Sequence, residues 1–202
     1  RNNTATAFGG GVFSYCSTID MTDVTITENQ NQGNGQGGGI MLAASSGTLD
    51  NMTITYNTAV GSHGGGIWTN NAGGSTNWNT VGWTMTNSTI SGNTADYFGG
   101  AMCLAWSHPK LINCTISNNT SGWGAGGIMG LEGGFTLMES TVSDNVNNGG
   151  MSGGGIFVWG PLDGIEGPVI EYSTISGNTA VGDGGGIALE EVENATLNRV
   201  LV

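Results

Sequence analysis

At 202 residues with 39 glycines but only three prolines and no strict three-residue period, the chain is not collagen-like, and its 37% apolar residues fall too regularly for disorder. Three basic residues (Arg1, Lys110, Arg199) face fifteen acidic ones, for a formal charge of −12. So few cations cannot neutralise phosphates, which excludes nucleic acid and anionic membrane surfaces as partners, and no apolar run reaches the ~18 residues of a spanning helix.

The first residues, Asn3-Thr4-Ala5, stand in the register that returns as Asn178-Thr179-Ala180. Gly9-Gly10-Gly11 then run into Val12, the first of seven apolar anchors that follow a glycine cluster. The others are Ile40, Ile67, Met102, Ile128, Ile156 and Ile187. Between anchors a second signature recurs, first as Thr25-Ile26-Thr27-Glu28-Asn29, then at 53–57, 89–93, 115–119, 141–145 and 174–178. The period is 26 to 36 residues, so residues 1–202 read as one repeat domain.

Alternation within each repeat predicts two short strands with an apolar inner face. One carries Val24 and Ile26, Met52 and Ile54, or Cys114 and Ile116; the other carries Ile40 and Leu42, Met102 and Leu104, Ile156 and Val158, or Ile187 and Leu189. The short spacing between them leaves no room for a crossover helix, so the chain must coil. The expected fold is all-β: a right-handed, single-stranded parallel β-helix (a β-solenoid) of seven to eight coils, about 35 Å long at ~4.8 Å per coil. Asn29, Asn57, Asn93, Asn119, Asn145 and Asn178, with Asn3 before them, predict an amide ladder at one turn. The glycines predict positive φ and close approach of neighbouring coils.

Gly99-Gly100-Ala101-Met102 and Ile116-Ser117-Asn118-Asn119 resemble the paired GGA[ILV] and FxxN repeats of the chlamydial polymorphic outer-membrane proteins and related right-handed β-helix surface proteins. The resemblance covers essentially the whole chain. It departs where Ile or Val replaces the family's Phe, and where most glycine motifs read Gly-Gly-Gly. The resemblance implies a secreted or surface-displayed adhesive or structural module.

Candidate sites fall between the glycine anchor strand and the Thr-Ile-Ser strand. Trp68, Trp78, Trp83, Trp106 and Trp159 are expected there, either stacking on surface glycans or folded back over the sheet. Glu132, Asp163, Glu166 and Glu190 gather on the same side. They are weighed as a glycosidase pair, as a Ca²⁺ site, or as a solvated rim that binds neither metal nor cofactor. His63 and His108 read as surface residues, and Cys16, Cys103 and Cys114 as unpaired thiols. Asn-X-Ser/Thr triplets at Asn2, Asn51, Asn87, Asn113, Asn118, Asn119 and Asn194 read mostly as chance.

The Thr-Ile-Thr and Thr-Ile-Ser strands predict two rows of outward hydroxyls, an arrangement that resembles ice-binding solenoids. The chain shows no capping segment and its ends share a register, so the sequence reads as an excerpt of a longer solenoid or as a subunit that associates end to end into a filament. The expected function is a non-catalytic extracellular structural protein or adhesin. The alternative is a carbohydrate-active enzyme, a polysaccharide lyase or glycosidase, with an ice-binding solenoid below that.

Overall fold

A computed structural model describes residues 1–70, 82–160 and 167–202. Every described strand is two to five residues long, and every ladder is parallel. One full turn runs through Thr58–Val60, Ile67–Asn70, Trp83–Thr86 and Thr89–Ser91. Each of these pairs with its counterpart one repeat away, which builds sheets A, B, C and D of seven, seven, seven and six strands.

Four strands per repeat form where alternation predicts two. The additional strands, such as Thr94–Ala95 and Thr120–Ser121 in sheet A, are too short and polar to show a period of two. The 27 described strands make between six and seven turns, slightly fewer than the seven to eight expected, since sheet D holds six strands where the other sheets hold seven.

The strands stop because single residues in the left-handed region turn the chain at the corners. From sheet D to sheet A these are Glu28, Tyr56, Gly92, Asn118, Asp144 and Gly177; from C to D they include Asp23, Asn51, Asn87, Asn113 and Glu139. A non-glycine residue bears of order 1 kcal/mol for this conformation, which the ladders on either side offset. At the corner from A to B the residue is most often the first glycine of the cluster, as at Gly64 (φ 67°). The second glycine serves close approach: a Cβ on Gly65 would lie 2.4 Å from the Gly100 carbonyl oxygen and 2.5 Å from that of Thr94.

The register aligns like with like. Ile26, Ile54, Ile90, Ile116, Val142 and Ile175 stack inside sheet D. They meet Ile40, Ile67, Met102, Ile128 and Ile156 from sheet B and Leu49, Met85, Leu111, Leu137 and Ile170 from sheet C in one continuous core. A second apolar cluster lies on the outer side of sheet B, with Met41, Trp68, Cys103, Met129 and Phe157 all buried. The core runs the length of the described coils, so the surfaces it carries are held on a rigid rod.

Candidate functional site

The asparagines at the D–A corner form a hydrogen-bonded column. Each side-chain oxygen accepts from both the main-chain N–H and the Nδ2 of the preceding asparagine: Asn57 N and Nδ2 donate to Asn93 Oδ1 at 2.9 and 3.0 Å, and Asn93 N and Nδ2 donate to Asn119 Oδ1 at 2.9 and 3.0 Å. The same geometry links Asn29 to Asn57, Asn119 to Asn145 and Asn145 to Asn178. Each Nδ2 from Asn57 onward also donates to a sheet D carbonyl of the previous coil, as Asn93 does to Ile54 at 2.9 Å.

A second polar column stands at the C–D corner, where Asn51, Asn87 and Asn113 are exposed with φ of 51°, 52° and 53°. Asn51 Nδ2 donates to Asp23, Asn87 Nδ2 to Asp50 and Asn113 Nδ2 to Asn87, at 2.6 to 2.8 Å. Their Asn-X-Thr triplets therefore have a structural origin. Asparagine tolerates the left-handed corner, and threonine begins the exposed strand two residues on. The carboxyls of this region follow the same logic: hydrogen bonds from Thr48 hold Asp20 below the usual carboxylate range, and hydrogen bonds from Thr86 and Asn87 do so for Asp50.

The tryptophans expected to stack on glycans do not share one environment. Trp83 starts a sheet C strand and points into the core at 2% exposure, in register with Gly47 of the preceding coil. Trp68, at 6% exposure, packs in the second apolar cluster between Met41 and Cys103. Both rings are covered, as in the folded-back alternative, rather than open to a glycan. Trp106 is a half-buried corner residue whose indole N–H donates to Glu132 Oε2 at 2.8 Å. Trp159 is exposed and pairs with Glu190 in register. Trp78 lies outside the described residues.

Among the acidic candidates, Glu132 accepts from Trp106, and Glu190 Oε1 accepts from Ser152 Oγ at 2.9 Å. Asp163 and Glu166 lie outside the described residues. No group of three or more His, Cys, Asp or Glu side chains gathers for a metal among the described residues. Cys103 and Cys114 are buried and Cys16 is exposed, all unpaired; burial pushes the Cys103 thiol up to about 12.

Exposed aromatic residues collect instead at the A–B corner, just ahead of the glycine clusters. His63 stacks on Phe98 with centroids 4.9 Å apart and tilts against Tyr97 at 5.4 Å. Trp123, one coil further, meets both Tyr97 and Phe98 at 6.4 Å. Phe8 occupies the corresponding turn of the first coil and stacks on Phe13 at 5.7 Å. His63 is thus half-buried rather than a free surface residue, and burial lowers its pKa. The signal was present in Ser62-His63-Gly64 and Tyr97-Phe98-Gly99, where a ring abuts the glycine that turns the corner, and in Trp123-Gly124-Ala125, where Ala125 makes the turn.

On sheet D the register aligns Thr25, Thr53, Thr89, Thr115, Thr141 and Thr174 in one outward row and Thr27, Thr55, Ser91, Ser117, Ser143 and Ser176 in the other. No charged residue interrupts either row.

Four-strand turns, parallel like-on-like stacking and an internal asparagine ladder define a repeat protein of the β-helix class. Residues 39–202 match the model of the right handed beta helix region, and the chain belongs to that family. Searches of curated proteins and of solved structures return no match.

Proposed function

We propose that this β-helix is a non-catalytic structural or adhesive module that works outside the cell, as the chlamydial polymorphic outer-membrane proteins it resembles do at their surface. The observation that carries this reading is the use the coils make of their polar groups. The amides form a buried ladder that holds the coils together, the hydroxyls of sheet D run in two unbroken rows along a flat outer face, and the described acidic candidates, Glu132 and Glu190, are hydrogen-bonded to Trp106 and Ser152. Such a surface suits presentation and contact along a rod more than chemistry at a point. A scarcity of cations disfavours acidic polymers as ligands and leaves uncharged surfaces as partners.

The test is turnover against retention. The purified chain is incubated with a panel of plant, fungal and bacterial polysaccharides, and reducing ends and unsaturated uronates are measured over days. We expect no product, together with measurable retention of the protein on at least one insoluble wall preparation. Catalytic release of either product above the buffer control overturns the non-catalytic reading.

A further inference from the structure

We propose that the aromatic corner of His63, Tyr97, Phe98 and Trp123, with the amide-lined depression beside it, binds an uncharged extended polysaccharide lying along the helix axis. The proposal rests on the adhesive reading above and names the ligand class for it.

Three features of the corner converge on that class. Tyr97 and Trp123 stand on consecutive coils at 42% and 56% exposure, on a described surface where the comparable rings at Trp68 and Trp83 are buried. An exposed run of aromatic rings on a rigid rod marks a contact surface. The backbone holds these rings in place: Tyr97 N donates to the Ser62 carbonyl and Trp123 N to the Tyr97 carbonyl, both at 3.0 Å. Phe98 anchors the group from below, in the apolar cluster outside sheet B. Rings fixed before binding lose little freedom when a ligand arrives.

The second feature is a depression of about 460 Å³ lined by Gln30, Gln32, Gly33, Asn34, Val60 and Gly61. It occupies the His63 coil and the coil before it, which carries Gly33-Asn34-Gly35 in place of an aromatic residue. Gly61 N donates to Asp96 Oδ2 at 2.6 Å, so the floor of the depression connects directly to the turn that bears Tyr97. Amides offer both donors and acceptors, as sugar hydroxyls require.

The third feature is charge and spacing. None of the three basic residues belongs to this surface, while Asp96 does, so an anionic polymer would meet a carboxylate with no compensating cation. Rings and depression span four consecutive coils, about 14 Å at ~4.8 Å per coil. One coil rise is close to the length of one sugar in an extended β-linked chain, so successive sugars can meet successive coils in register. The Tyr97 and Trp123 rings stand at 82° to each other, so the chain would stack on one ring's face and lie against the other's edge, with hydroxyl contacts to Asn34, Gln30 and Gln32 following.

Affinity electrophoresis and titration calorimetry with soluble xyloglucan, mixed-linkage β-glucan and galactomannan test this, with polygalacturonate as the anionic control. We expect at least one neutral glycan to bind and polygalacturonate not to bind. Trp123→Ala and Tyr97→Ala, both at exposed rings and checked for native circular dichroism, should each weaken binding tenfold or more; Tyr172→Ala, at an exposed ring on the C–D corner, should leave it unchanged. Binding that both variants retain, equal binding of polygalacturonate, or no binding to any neutral glycan overturns the site. So does self-association or capture of a protein that Trp123→Ala abolishes in the absence of glycan binding. Cleavage of a glycan that still depends on Trp123 would refute the non-catalytic reading and leave the site standing. Absence of binding with no turnover would remove the site and leave that reading.

Discussion

Replacing Asn93 by alanine tests whether the amide ladder holds the coils together. Asn93 is fully buried, and its Oδ1 is the acceptor for Asn57 N, which the substitution leaves without that partner. Asn57 Nδ2 also loses Asn93 but keeps the Ile26 carbonyl at 2.9 Å, and Asn119 Oδ1 keeps the Asn93 main-chain N–H. The Ile54 carbonyl loses its side-chain donor. One orphaned buried N–H costs about 1–3 kcal/mol and each lost bond about 1 kcal/mol, so the expected destabilisation is roughly 3–5 kcal/mol. That is a large share of the roughly 5–15 kcal/mol typical of a folded domain.

Asn178 is half-exposed, so water can replace its acceptor, and Asn178→Ala should cost only about 1–2 kcal/mol. Urea unfolding followed by circular dichroism and by tryptophan fluorescence measures both, provided the two probes report one transition. Amide exchange at Asn57 gives the local readout and should accelerate in Asn93→Ala alone. A loss below about 0.5 kcal/mol with unchanged exchange at Asn57 would refute the ladder as a source of stability.

Other outcomes follow from single positions. Gly65→Ala should prevent folding or cost more than about 3 kcal/mol by thermal melt, since the new Cβ would sit 2.4 Å from a carbonyl oxygen of the next coil. Trp83 Nε1 is buried without a partner, so Trp83→Phe should change stability by less than about 1 kcal/mol, whereas Trp83→Ala should cost about 3–5 kcal/mol. Burial lowers the His63 pKa below the ordinary 6.5, so its contribution is complete above pH 6.5 and is lost as the pH falls through 6.5 towards the folded-state value. His63→Phe should remove that slope from a series of melts. A thiol reagent at pH 8 should label Cys16 alone in the native protein; fast labelling of Cys103, which burial pushes up to about 12, would refute its placement.

The parts of the fold that recur in sequence were legible there. The Ile of each Thr-Ile-Ser strand lies inside because period-two alternation survives even in three residues, and the glycine clusters mark a corner because a side chain at their second position would meet the backbone of the next coil. The tryptophans were harder to place, because residue type does not state direction. Trp83 lies one strand inside the core and Trp68 faces outward under cover, although both occupy the stretch between an anchor and the next Thr-Ile-Ser strand. What decides their fate is the face each stands on: Trp83 faces the core, and Trp68 faces the outer side of sheet B between Met41 and Cys103. Their partners are known only once the register is known.

The corners explain why the aromatic surface escaped the sequence reading. Each turn needs one left-handed residue, and Asn, Asp and Gly supply many, but Tyr56, Trp106, Glu28 and Cys16 supply others. A ladder on each side can impose that conformation on almost any side chain, so corner identity carries little local signal. Freed from backbone duty, the residues just before a glycine that already makes the turn can vary without cost to the fold. Tyr97-Phe98 before Gly99 occupies such a place, and so does His63 before Gly64, where the glycine takes the left-handed φ. Rings at positions the fold does not require, in contact across consecutive coils and with Tyr97 and Trp123 left in water, call for a reason outside the fold. Binding a ligand along that corner supplies one.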